Sequence, residues 1–128
     1  MQDNEPQIAF ENNTERLNRV AQLNKVFVGG TNKSGTTWLQ LILNAHPEIV
    51  CHGEGHLSNI LRNFFVKQFL EYSLYVDKQN KSVFGEIDGF PLADQEDRNF
   101  MLRNMILTLL SKYDLKPSTK VIGEKTPD

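Results

Sequence analysis

Residues 30–37 read Gly-Thr-Asn-Lys-Ser-Gly-Thr-Thr, and no other stretch of the chain is as well suited to hold a phosphate. Gly30 and Gly35 let the backbone fold closely around an anion. The amides of Ser34, Gly35, Thr36 and Thr37 would point at it, and the Thr36 and Thr37 hydroxyls add donors. The spacing of the two glycines fits the triphosphatase pattern G-x-x-x-x-G-K-[ST], but Thr36 stands where that pattern has its lysine. The lysine lies inside the loop instead, at Lys33. There it would sit over a shorter ligand, which points to a mononucleotide carrying one transferable group. The plain alternative is a tight strand-to-helix turn that needs glycine only for its sharpness.

A second group of reactive side chains follows in Cys51-His52-Gly53-Glu54-Gly55-His56. Glu54 and His56 fall in a glycine-rich loop of the kind that gathers at the carboxyl ends of strands, where ligands bind, and either side chain is a candidate base. Cys51, His52, Glu54 and His56 are also possible zinc ligands, but the second ligand pair that zinc sites usually show is missing, so no metal is expected. Lys125, near the end of the chain, reads on its own as a solvated lysine.

These residues need a scaffold, and the chain supplies the pattern of an α/β sheet. Residues 1–24 form a polar N-terminal segment, loose at its start, with a short helix predicted over 11–23 and Leu17, Val20 and Ala21 on its apolar side. Lys25-Val26-Phe27-Val28-Gly29 reads as a buried strand, and a helix is predicted from Thr36 to Ala45, ended by Pro47. His46 reads as a helix-end residue. The segment His46–Cys51 is predicted to return to a second short strand, with His52–His56 as a loop. The i, i+3, i+4 stripe Leu57, Ile60, Leu61, Phe64, Phe65 predicts a helix from Ser58 to about Leu74. Residues 78–82 read as a polar turn and 83–93 as irregular. Asp94 caps a predicted helix through Lys112, with Met101, Leu102, Met105, Ile106, Leu109 and Leu110 facing the core. Lys120–Gly123 reads as a last strand, with Glu124-Lys125-Thr126-Pro127 following it.

The bulk numbers fit an ordinary globular protein: 128 residues, 39% hydrophobic, 23% charged, net charge −2. That charge argues against a nucleic-acid or membrane-surface binder. No apolar run approaches the ~18 residues of a membrane span, and the acidic N-terminus is unlike a secretory signal. The single cysteine cannot form an internal disulfide, so a cytoplasmic location is expected. Asn12, Asn32 and Asn80 begin Asn-x-Ser/Thr tripeptides, which carry little weight because a glycan on Asn32 would block the phosphate loop.

Thr31-Asn32-Lys33-Ser34-Gly35-Thr36-Thr37-Trp38 resembles the 5′-phosphosulfate loop of sulfotransferases, commonly T-Y-P-K-S-G-T-T-W. The following Leu39–Ile49 resembles the next helix of bacterial and Golgi-type members, Glu54-Gly55-His56-Leu57 the E-x-H-F segment of the heparan-type branch, and Glu124-Lys125-Thr126-Pro127 its E-K-[ST]-P segment. Asn32 departs from the usual proline or arginine. The resemblance implies a P-loop-type, three-layer α/β/α fold with a short parallel sheet over residues 25–128. It also implies transfer of sulfonate from 3′-phosphoadenosine 5′-phosphosulfate (PAPS) to a hydroxyl or amine of a small-molecule or carbohydrate acceptor. By the same resemblance Lys33 contacts the 5′-phosphate and the bridging oxygen, Ser34 to Thr37 hold the phosphate, Trp38 stacks on adenine or faces the core, Glu54 is the base, and Lys125 approaches the sulfonate. The family's second motif, an arginine and a serine for the 3′-phosphate, has no counterpart here, so the chain is expected to be an N-terminal part whose C-terminal half is missing. Two other readings remain open: a P-loop nucleotide-binding protein or small-molecule kinase, with Val121–Glu124 as a magnesium-binding strand end, and a non-catalytic remnant.

Overall fold

The computed structural model describes residues 5–85 and 89–127. The expected loose residues 1–4, and residues 86–88 within the expected irregular stretch, lie outside them. The chain forms two compact units, one of residues 1–57 and 104–128 and one of 58–103.

The first unit is built on a three-stranded parallel sheet. Helix α1 (Glu5–Gln22) precedes β1 (Asn24–Gly30); α2 (Thr36–Ala45) leads to β2 (Ile49–Gly53); and β3 (Val121–Pro127) completes the sheet. Its strand order is β1-β3-β2, so the last strand in sequence lies in the middle. Lys125 is paired with Val28 on one side and Gly53 on the other, and Glu124 with Phe27 and His52. All three strands run the same way, so Gly30, Gly53 and Pro127 end at one edge of the sheet, where ligands bind in open α/β folds. The α/β class read from the sequence therefore holds.

Central placement explains the burial of β3. Both of its backbone edges are paired, and Ile122, Gly123, Glu124, Lys125 and Thr126 are all buried. Gly123 sits opposite Val26, where an added Cβ would come within 2.3 Å of the Val26 carbonyl oxygen. The strand extends through Pro127, which corrects the reading of residues 124–127 as a segment following the strand. A strand with two charged residues in its middle reads as a strand end; pairing with two neighbours overrides that tendency.

Helix α2 also seals the outer edge of β2. Asn44 Oδ1 accepts the Cys51 N–H at 3.2 Å and Gln40 Nε2 donates to the Cys51 carbonyl at 3.3 Å, so the outward backbone groups of that residue are satisfied. Helix α1 begins at Glu5, earlier than expected, and buries Val20. Its last turn is tied down by Arg19, which donates to the Lys116 carbonyl at 2.9 Å. His46 ends α2, as expected, and its Nδ1 accepts the Glu48 N–H.

The second unit contains α3 (Arg62–Gln79), entered through a π-helical turn at Leu57–Leu61 and left through another at Asn80–Phe84. The polar turn expected over 78–82 is thus helical. No glycine or proline breaks it, Lys81 pairs with Asp77 one turn back at 2.6 Å, and the Asn80 side chain is occupied by both backbone groups of Phe90. The predicted apolar stripe is also displaced: Ile60 and Phe64 are exposed, while the sheltered side runs through Leu61, Phe65, Phe69 and Val76. The wide turn at Leu57–Leu61 adds to the residues per turn and rotates everything after it.

Helix α4 (Gln95–Leu110) passes from the second unit into the first. Asp94 caps it as expected: Asp94 Oδ1 accepts the Asp97 N–H at 2.9 Å and Asp97 Oδ2 accepts the Asp94 N–H at 3.0 Å. Leu107 and Leu110 are its buried residues, and the expected core positions Met101 and Leu109 are exposed. Five of the six residues 105–110 are apolar, so periodicity alone does not orient this end of the helix.

Candidate functional site

The glycine loop leaves β1 at Gly30 and enters α2 at Gly35. Three successive features shape it. Gly30 is a site where a Cβ would meet Ser34 Oγ at 2.8 Å and Thr36 Cγ2 at 3.0 Å. Lys33 adopts a left-handed conformation with φ 63°, and Gly35, the N-cap residue of α2, does so with φ 87°. A Ser34 N–H to Thr31 carbonyl bond of 3.1 Å closes the turn between them.

Gly35 has no side chain with which to cap α2, and the first turn carries no acidic residue. The first intrahelical bond there runs from Leu39 N–H to the Gly35 carbonyl at 3.0 Å. The amides of Thr36, Thr37 and Trp38 therefore lie ahead of the helical ladder, with the positive end of the helix dipole behind them. Thr36 is buried, whereas Lys33, Ser34, Gly35, Thr37 and Trp38 are exposed. Trp38 is 69% exposed, so in its own unit it does not take the core position. Among the described residues Lys33 makes no ion pair. A bulky residue held left-handed without local compensation costs about 1–2 kcal/mol, which is the kind of strain found at ligand-binding turns.

At the neighbouring strand ends the structure brings Glu54, His56 and Lys125 together. Lys125 Nζ meets Glu54 Oε1 at 2.6 Å; the lysine side chain is 4% exposed and the carboxylate half-exposed. The hydrogen bond from Lys125, followed by its charge, holds the Glu54 carboxyl below the usual glutamate range. Glu54 therefore stays ionised at neutral pH, with its proton-accepting oxygen beside a buried cation. Lys125 is not the solvated lysine that its sequence context alone suggests, because β3 carries it through the centre of the sheet.

Sequence reasoning missed two residues here. Glu124 is 1% exposed, and its Oε1 accepts the His56 N–H at 2.8 Å and the Thr126 hydroxyl. Thr126 Oγ1 also accepts the His56 N–H, at 3.1 Å. His56 sits at φ 50°, and its Nδ1 is buried without a hydrogen-bond partner among the described residues. The signal available was a glutamate inside the strand Val121-Ile122-Gly123-Glu124, since charged side chains are almost never fully buried unless paired.

The would-be metal ligands diverge. Cys51 is wholly buried, its thiol pushed up by burial and by the Glu124 carboxylate. The His52 ring stacks edge-on against Tyr113 at 4.5 Å. Among the described residues no three His, Cys, Asp or Glu side chains are grouped to hold a metal ion. A cavity of about 350 Å³ is lined by Arg16, Arg19, Lys112, Tyr113 and Asp114. It includes none of Lys33, Glu54, His56, Glu124 and Lys125, and its cations sit where helix C-termini favour them.

The arrangement defines a parallel α/β protein with a glycine loop at the head of its first sheet-linked helix and a carboxylate–lysine pair at the adjoining strand ends. The chain belongs to the sulfotransferase family, whose family model matches residues 25–128. Transfer of sulfonate groups is that family's general chemistry. No curated protein matches the chain significantly.

Proposed function

We propose that this protein transfers sulfonate from PAPS to a hydroxyl or amine of a small-molecule or carbohydrate acceptor in the cytoplasm. The observation that carries the proposal is the Glu54–Lys125 pair, which places a proton acceptor and a buried cation at the same sheet edge as the uncapped start of α2. The loop suits a 5′-phosphate: free amides at Thr36, Thr37 and Trp38, hydroxyls on Ser34 and Thr37, the exposed cation of Lys33 and no acidic side chain in the first turn of α2. The donor supplies a sulfonate whose bond to the phosphate oxygen is broken in the reaction.

This chain's residues have three tasks. Ser34, Gly35, Thr36 and Thr37 bind and orient the phosphate. Glu54 takes the proton from the acceptor as its oxygen or nitrogen forms a bond to sulfur. Lys33 and Lys125 stabilise the negative charge that gathers on the departing phosphate oxygen, which leaves with adenosine 3′,5′-bisphosphate. For Lys125 this requires a change of partner from Glu54 to the reacting group, which also frees the Glu54 carboxylate to accept a proton. His56 is the second choice as base, and its unpartnered Nδ1 is consistent with contact to a ligand. Trp38, exposed beside the loop, is available to stack on adenine.

A kinase reading finds less support. Thr36 replaces the phosphate lysine, and Glu124 is engaged by the His56 amide and buried in mid-strand rather than open to magnesium. Calorimetric titration with adenosine 3′,5′-bisphosphate and with ATP–Mg²⁺ tests the choice. Binding of the bisphosphate, independent of Mg²⁺, is expected; preferential binding of ATP–Mg²⁺ would overturn the sulfotransferase reading.

A further inference from the structure

We propose that Glu124 is a positioning residue, whose carboxylate clamps the loop carrying the base by accepting the backbone N–H of His56. The inference rests on the reading of Glu54 as base. Glu124 and Lys125 are neighbours on β3, so their side chains leave opposite faces of the sheet. Each takes hold of the same loop. Lys125 holds the Glu54 side chain at 2.6 Å and Glu124 holds the His56 amide at 2.8 Å, two residues further on.

Gly55, between the two holds, is pressed against the clamp: a Cβ there would lie 3.3 Å from both Glu124 Cγ and Oε1. His56, which closes the clamp, holds a left-handed conformation with φ 50°. The loop is thus fixed at two points in the resting protein, and the hold on His56 keeps it in place when Lys125 changes partner. Burying a carboxylate in the centre of a sheet is costly, and an apolar residue would serve the strand better. His52 and Phe27 flank Glu124 on the neighbouring strands and no ion pair reaches it among the described residues, so the hydrogen bonds it accepts from the His56 N–H and the Thr126 hydroxyl are what offset that cost. Apart from Thr126 on its own strand, the partner of the carboxylate is the loop that carries Glu54.

Two measurements on the whole chain test this. Amide exchange at His56 is expected to be at least 100-fold slower than at its neighbour Gly55, although the loop is at the surface; equal exchange would overturn the clamp without any mutation. Carboxyl-carbon NMR of Glu54 against pH is then compared in the parent, Glu124→Gln and Glu124→Met. The amide oxygen of Glu124→Gln still accepts, so the Glu54 midpoint should stay near that of the parent. Glu124→Met keeps the volume without the acceptor, so the midpoint should rise toward the ordinary glutamate range as Glu54 loosens from Lys125. His56 protection should fall at least tenfold in the same variant. A folded Glu124→Met with both readouts unchanged overturns the inference. Should it not fold, Thr126→Val takes its place, with a fall of a few-fold in protection expected and an unchanged rate counting against the clamp. Failure of the underlying reading has a different signature: full turnover in Glu54→Gln removes the base while leaving the His56 bond intact.

Discussion

At the residue scale, the loop and the strand ends separate binding from stability. Lys33 is exposed, makes no ion pair among the described residues and holds φ at 63°. Lys33→Gly should therefore keep the parent melting temperature or exceed it, because glycine relieves a left-handed strain of about 1–2 kcal/mol. The same variant should bind adenosine 3′,5′-bisphosphate about tenfold or more weakly, the worth of one charge-assisted hydrogen bond. Calorimetry paired with thermal melting checks both halves. For Glu54→Gln we expect kcat to fall about 10²- to 10⁴-fold, as for loss of a general base, with bisphosphate affinity unchanged. The pH dependence has a definite sign. Lys125 lowers the Glu54 pKa, so the ionised base persists as pH falls below the ordinary glutamate range. The acid limb of kcat/KM should accordingly lie below that range in the parent and move up in Lys125→Met.

The residues of the loop were legible because chemistry and geometry ask for the same ones. Gly35 takes the left-handed conformation that the turn asks for, and Lys33 stands out by its displacement from the triphosphatase position. Glu124 was not legible. Its role depends on β3 lying between β1 and β2, and nothing local to Val121–Pro127 states which strands will flank it. The same non-local fact turned Lys125 from an expected surface lysine into a buried one.

At the scale of elements, tight approach governs the sheet. The Gly123 position abuts the Val26 backbone, which cannot rotate away as a side chain would. Gly123→Ala should cost about 1–3 kcal/mol by overpacking, seen as a lowered denaturation midpoint with no change in slope. Helix limits followed sequence where a cap or a breaker marked them, as at Thr36–Ala45 and at Asp94. They failed where the signal was only polarity, as over residues 78–82, and helix faces failed where a π-helical turn reset the phase or where apolar residues crowded 105–110. Periodicity counts residues per turn, so it is blind to a turn of unusual width.

For the molecule as a whole, the sheet interior works as a set of internal reporters. Burial, then the Glu124 carboxylate and the Cys51 thiol, push Tyr113 up to about 12. The unfolded chain would ionise this phenol near its ordinary value of about 10, so the stability it contributes is full below that pH and is lost as pH climbs toward 12. A spectroscopic alkaline titration should show a late tyrosine step coincident with loss of the fold. Cys51 is wholly buried with a raised thiol pKa, and should react with thiol reagents only as fast as the first unit opens. Rapid modification of the native chain would contradict the packing of β2 against α2.

The strand order has a consequence for how the protein is made. β1 and β2 touch only through β3, so no rung of the sheet can form on the ribosome until residues 121–127 have been synthesised and cleared the exit tunnel. Up to that moment the glycine loop, Glu54 and the edge of β2 trail as unpaired chain, and the assembly of the whole candidate site waits on a single late insertion. Pairings so distant in sequence close slowly, and strand edges left open in the meantime are exposed to misassociation.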